Sequence, residues 1–131
     1  MRLPVLSASM LSAVVALSAD AGTSDPTGYS APVTSSYSQK TLLKNWAMSV
    51  CLAEVAKDAG TKADANATAA AYLEFGHQSI EAYDQLRTLI DKYASKKYGG
   101  SVDSEYNTMK CIDLLNSKEL DALTGKLSKT R

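Results

Sequence analysis

The chain has 131 residues, with Lys plus Arg and Asp plus Glu balanced at 14 each and a formal net charge of zero. That balance excludes a dedicated nucleic-acid binder, which carries a basic excess to meet phosphates. A hydrophobic share of 45% with 21% charged residues excludes a disordered chain and fits one globular domain.

Met1-Arg2 opens the chain, and Leu3–Leu17 is apolar or small throughout. Ser18-Ala19-Asp20-Ala21 then places small residues where a signal peptidase cuts. The apolar run is shorter than the roughly 20 residues of a membrane-spanning helix. Residues 1–21 therefore read as a secretory signal peptide, and the remaining chain as exported, with no membrane segment. Residues 22–36 are rich in Gly, Pro, Ser and Thr and show no helical or strand period, as in a flexible N-terminal tail.

Residues 37–131 read as a helical domain. From Tyr37 to about Asp58, Leu43, Trp46, Val50 and Ala53 recur at helical spacing. Ser36 or Ser38 serves as N-cap, and Gly60 as the stop. A second, alanine-rich helix runs from a cap at Asp64 to Phe75, with Gly76 beyond it. The third begins at Ser79, with Ile80, Tyr83, Leu86, Ile90 and Tyr93 as its stripe. Glu81 and Asp84 lie near its start and Lys92 near its end, as the helix dipole favours. Gly99-Gly100 breaks the chain. A fourth helix follows a cap at Ser104, with Tyr106, Met109, Ile112 and Leu115 inward. A fifth follows Ser117, with Leu120, Leu123 and Leu127 inward. The fold class is all-α: a compact single-domain bundle of about five helices. Trp46, Tyr72, Ile90, Met109 and Leu123 are the expected core anchors.

Signatures of catalysis are missing. The sequence holds no phosphate-binding loop, dinucleotide fingerprint, nucleophile elbow or H-E-x-x-H motif. A zinc site of His and Cys would consume His77, Cys51 and Cys111 together, so no metal or cofactor is expected. Export favours an intramolecular disulfide between Cys51 and Cys111 over a reactive thiol. Each cysteine falls mid-helix beside apolar residues. His77, after Gly76 at a helix junction, reads as a capping or surface histidine. Glu74, Glu81 and Asp84 read as solvated carboxylates.

Several sequence words carry a resemblance. Leu42-Leu43-Lys44-Asn45-Trp46-Ala47 leads to Cys51-Leu52-Ala53. Ala71-Tyr72-Leu73-Glu74-Phe75-Gly76 follows, then Asn107-Thr108-Met109-Lys110-Cys111-Ile112-Asp113-Leu114, then Ser117-Lys118-Glu119-Leu120. In order and spacing the chain resembles the type VI secretion amidase immunity proteins of the fourth effector–immunity family, from about Tyr37 to Leu127. The resemblance implies a periplasmic, all-α, homodimeric protein of a Gram-negative cell. Its partner would be a papain-like cysteine amidase that cuts the peptidoglycan peptide stem between D-glutamate and diaminopimelate. The immunity protein would occlude that enzyme's cleft and would not itself be an enzyme. A periplasmic helical chaperone or adaptor, and a small hydrolase acting through Cys51 or Cys111, are the other classes the residues leave open.

Within the resemblance, a protruding loop plugs the amidase groove. Tyr98-Gly99-Gly100-Ser101-Val102-Asp103 is the segment that fits. Two glycines permit close backbone approach and positive φ. Tyr98 is an aromatic anchor type, and Ser101 and Asp103 offer hydrogen bonds. The alternative is that this segment is a plain connector that merely turns the chain, and then the blocking surface is the helix face of Glu81, Asp84 and Arg87.

Overall fold

The computed structural model describes residues 33–130. The expected signal peptide, residues 1–21, and residues 22–32 of the expected tail lie outside the described residues. The last tail positions belong to the body: Thr34–Ser36 form a short 3-10 turn with Thr34 buried. Five helices follow: α1 Gln39–Val55, α2 Ala59–Glu74, α3 Ile80–Ala94, α4 Asn107–Leu115 and α5 Lys118–Leu127. No strand occurs among the described residues, so the fold is all-α as the periodicity indicates.

Helix α1 is the axis against which the other four pack. Ser38 starts it, its side chain accepting the Thr41 N–H at 3.1 Å. Leu42, Leu43, Trp46, Ala47, Val50, Cys51 and Ala53 are buried along it. That stripe is broad enough to face several partners at once.

Helix α2 starts earlier than its sequence suggests. Asp58, not Asp64, is the cap and accepts the Thr61 N–H at 2.8 Å. Gly60 lies in the first turn of α2 rather than ending α1; α1 ends at Val55, where the backbone turns extended at Ala56. Ala65 and Ala69, one turn apart, are the buried residues of α2. Their small side chains let it lie close on α1.

Helix α3 buries Ala82, Tyr83, Leu86, Ile90 and Tyr93. Ile80, expected in that stripe, is 76% exposed at the helix start. Helix α5 is capped by Ser117, whose hydroxyl accepts the Leu120 N–H at 3.0 Å, and buries Leu120, Thr124 and Leu127. Ion pairs across the exterior join Lys92 of α3 to Glu119 of α5, and Lys40 and Lys44 of α1 to Asp121 of α5.

The largest departure from the sequence reading is in α4. Its cap is Tyr106, not Ser104, and its buried residues are Lys110, Cys111 and Leu114. Met109 and Ile112 point outward, 47% and 45% exposed. A disulfide sets this face. Cys51 and Cys111 are joined, their Cα atoms 5.6 Å apart and both side chains fully buried. With Cys111 fixed inward, Met109 and Ile112 must turn out. Of the expected core anchors, Trp46 and Ile90 are buried, Tyr72 and Leu123 are half-buried against the core, and Met109 is not core.

Candidate partner-binding surface

The loop between α3 and α4 leaves the body where Ser95 closes α3. It does not hang free. The Tyr98 hydroxyl donates to Asp113 Oδ2 at 2.6 Å, which ties the loop's first half to α4. That hydrogen bond also holds the Tyr98 phenol above its ordinary pKa. Tyr98 is thus engaged within the chain rather than presented as an anchor. At the other end, Lys57 Nζ pairs with Glu105 Oε1 at 2.7 Å, and Asn107 Nδ2 reaches the Val55 carbonyl at 3.3 Å. The lysine's hydrogen bond holds Glu105 below the usual carboxylate range. These contacts set the loop's base beside the α1–α2 connection.

Between the two moorings, Gly99, Gly100, Ser101, Val102 and Asp103 are exposed, Val102 at 67%. Neither glycine uses positive φ. Gly99 faces open space, whereas Gly100 is bare because the Tyr106 ring lies against it. A Cβ at position 100 would meet Tyr106 Cζ at 2.7 Å. The positive φ is at Tyr106 instead, at 53°. Beside the loop, a groove of about 810 Å³ is lined by Lys57, residues 104–109 and Ile112. The outward turn of Met109 and Ile112 gives it an apolar edge. Those two residues joined the candidate surface without a sequence signal, since each equally fits a core stripe.

The second candidate face is only partly assembled. Asp84 and Arg87 line a groove of about 260 Å³ with Trp46, Leu73, Gln78, Ile80 and Tyr83. Glu81 does not line it; its carboxylate is lowered first by a hydrogen bond from Ser79 at the start of α3. Arg87 is turned inward over the Trp46 ring. Leu73 and Ile80, both exposed, supply the apolar part.

The remaining chemistry-bearing residues are structural. Cys51 and Cys111 leave no free thiol, so the hydrolase reading has no nucleophile. His77 is exposed, and its backbone N–H donates to Gln39 Oε1 at 3.0 Å. Gln39 Nε2 in turn donates to the Phe75 carbonyl, clamping the α2–α3 junction. Among the described residues, no three His, Cys, Asp or Glu side chains converge to hold a metal ion. No described helix is long and apolar enough to cross a membrane.

Residues 41–124 match the family model Tai4, type VI secretion system amidase immunity protein. The chain belongs to this family. The match spans α1 through most of α5, including the loop and the disulfide. Solved structures agree. A chain in the effector–immunity system Tae4/Tai4 of Salmonella typhimurium is 50% identical, with a TM-score of 0.71 over 78% of this chain and 97% of that one. A chain in the complex of Salmonella typhimurium effector Tae4 with Enterobacter cloacae immunity Tai4 is 29% identical. There the TM-score is 0.64, over 73% of this chain and 99% of that one. A structure from work on type VI-secreted toxins and self-resistance proteins of Serratia marcescens is 32% identical, with a TM-score of 0.66 over 76% and 87%. No curated protein matches the chain. Membership of an immunity family places the chain among binders of amidase effectors, not among enzymes.

Proposed function

We propose that this chain acts in the periplasm, where it binds a type VI secreted peptidoglycan amidase of papain-like type and occludes its cleft. In the loop of residues 98–103, the exposed Gly99–Asp103 does the blocking and Tyr98 moors it. The observation that carries the reading is the loop's construction: an exposed tip at Gly99–Asp103, moored by Tyr98 to Asp113 of α4 at one end and by Glu105 to Lys57, just beyond α1, at the other. A rigid protrusion enters a groove without the ordering cost a floppy loop incurs. Two apolar residues flanking it, Met109 and Ile112, extend the surface beyond the tip. The leader-like residues 1–21 and the disulfide both suit an oxidising compartment. The active form is a homodimer.

The test is inhibition of Salmonella typhimurium Tae4 acting on isolated peptidoglycan, with the chain expressed to the periplasm. The intact protein should inhibit and should protect cells that express the effector. Deletion of Gly99 to Val102 should restore hydrolysis, with an unchanged helical circular-dichroism signal because those residues contribute nothing to the core. Light scattering should give the dimer mass at micromolar concentration. A folded deletion variant that still inhibits fully transfers the blocking role to the Asp84–Arg87 face. The exposed Ile80 and Leu73 favour that face as the second reading. A chaperone or adaptor would instead hold unrelated unfolded chains and leave hydrolysis untouched.

A further inference from the structure

We propose that Tyr106 is the positioning residue of this loop, a latch that holds residues 100–102 in the shape offered to the amidase. The inference rests on the reading of the loop as the blocking segment. Tyr106 is the one non-glycine residue with positive φ among the described residues. For a bulky aromatic side chain that backbone conformation is unfavourable and persists only where the surroundings impose it. Glycines stand at 99 and 100, where no positive φ is needed, and not at 106, where it is. What requires an aromatic at 106 is visible in its hydroxyl. It donates to the Val102 carbonyl at 2.6 Å and accepts the Val102 N–H at 3.2 Å.

One side chain thus satisfies both backbone groups of Val102 in the loop's exposed tip, as a neighbouring strand would. Its ring occupies the space that Gly100 leaves bare. The left-handed turn is what aims the ring back along the loop rather than along α4. Tyr106 also directly precedes α4, whose Cys111 is bonded to α1, so the latch has a rigid mount. A plain connector of this length has no use for a strained aromatic that fixes its solvent-facing tip. A segment that must enter a groove in one shape does, because preorganisation lowers the entropy lost on binding.

The decisive variant is Tyr106→Phe, which keeps the ring and removes both hydroxyl bonds. The Val102 amide order parameter should fall from rigid-backbone values to below about 0.6. The inhibition constant against Salmonella typhimurium Tae4 should rise about tenfold, while the melting temperature and helical signal stay the same. Gly100→Ala, which pushes the ring away, should weaken inhibition in the same direction. Tyr106→Gly should separate positioning from mere structure: relief of the backbone strain keeps or raises the melting temperature, yet inhibition weakens as in Tyr106→Phe. In a chain lacking Gly99 to Val102, Tyr106→Phe should change inhibition no further. Inhibition by Tyr106→Phe within twofold of the parent, beside an inactive loop deletion, overturns the latch alone. A loop deletion that still inhibits fully overturns the blocking-loop reading, and the latch with it.

Discussion

The guanidinium of Arg87 lies over the indole of Trp46, 5.1 Å from the ring centroid. Trp46 in turn meets Tyr83 edge-on, with ring centroids 4.8 Å apart and planes at 65°. An exposed cation on α3 therefore closes the outer side of a buried aromatic on α1. Arg87→Ala should lower stability by about 0.5–1 kcal/mol through the lost cation–π contact. It should also shift the emission of this lone tryptophan to the red as water reaches the ring. Arg87→Met retains the stem and should restore the emission but not all of the stability. Trp46→Ala should cost about 3–5 kcal/mol, measured by urea unfolding, because it empties a core position. Emission of the parent protein like that of free indole in water would contradict this placement.

The Cys51–Cys111 bridge closes a span of 60 residues and is fully buried at both ends. On the chain-entropy account such a span constrains the unfolded chain by about 4 kcal/mol. Replacing both cysteines by alanine should therefore lower stability by about 2–5 kcal/mol while leaving partner recognition measurable. Thiol titration of the unreduced protein should find no free thiol even after denaturation, and two after reduction. Mass spectrometry of unreduced protein should show the intramolecular bridge. A disulfide-linked dimer that separates on reduction would count against it.

Gly76 stands where the Tyr83 hydroxyl needs room. A Cβ at position 76 would collide with that hydroxyl and approach the Leu73 carbonyl at 3.3 Å. Tyr83 is itself buried, and its phenol is pushed up in pKa by that burial. Gly76→Ala should destabilise the protein by about 1–3 kcal/mol through overpacking. Tyr83→Phe introduced alongside should recover part of the loss, since it removes the colliding atom. Additive losses in the double variant would show that the clash is relieved elsewhere.

Helix starts were legible where a serine precedes a clean apolar stripe. Ser38, Ser79 and Ser117 all stand at the cap positions. In α2 the signal fails, because an alanine-rich helix has no sharp apolar face, and Asp58 and Asp64 are equally good caps by composition. Gly60 misleads for a related reason: glycine is tolerated in a first turn as well as past a last one. Helix α4 is too short to choose its own face. Met109 with Ile112 and Cys111 with Leu114 have the same three-residue spacing, and only the covalent bond to Cys51 decides between them. The family words in the sequence identified the immunity family, which the match over residues 41–124 supports directly. The candidate loop could be located from its glycines. Its internal device could not, since no local rule places a tyrosine at positive φ; that conformation is imposed by contacts four residues away.

Glu54 of α1 and Asp91 of α3 line one groove, together with Lys57, Glu105 and Lys110. Burial raises the Glu54 pKa first, and the neighbouring Asp91 carboxylate raises it further; Arg87 and Lys62 offset part of this. The folded chain therefore binds a proton at Glu54 more tightly than the unfolded chain does. The resulting stability is fully present below the ordinary carboxylate pKa and is lost as pH rises through the raised value. At neutral pH an ionised Glu54 is a liability. Asp121 works in the opposite sense: hydrogen bonds from Lys40 and then Lys44 lower its pKa, so its contribution is present at neutral pH and lost on acidification. Glu54→Gln should thus raise the melting temperature at pH 7, and the gain should vanish below about pH 4, where the parent glutamate is protonated. Asp91→Asn should produce part of the same gain by removing the facing charge. Asp121→Asn should lower the melting temperature at pH 7, and the loss should shrink as the pH falls through the lowered Asp121 pKa. If Glu54→Gln melts at or below the parent temperature at pH 7, burial and Asp91 do not dominate at this groove, and the cations Arg87 and Lys62 hold Glu54 ionised.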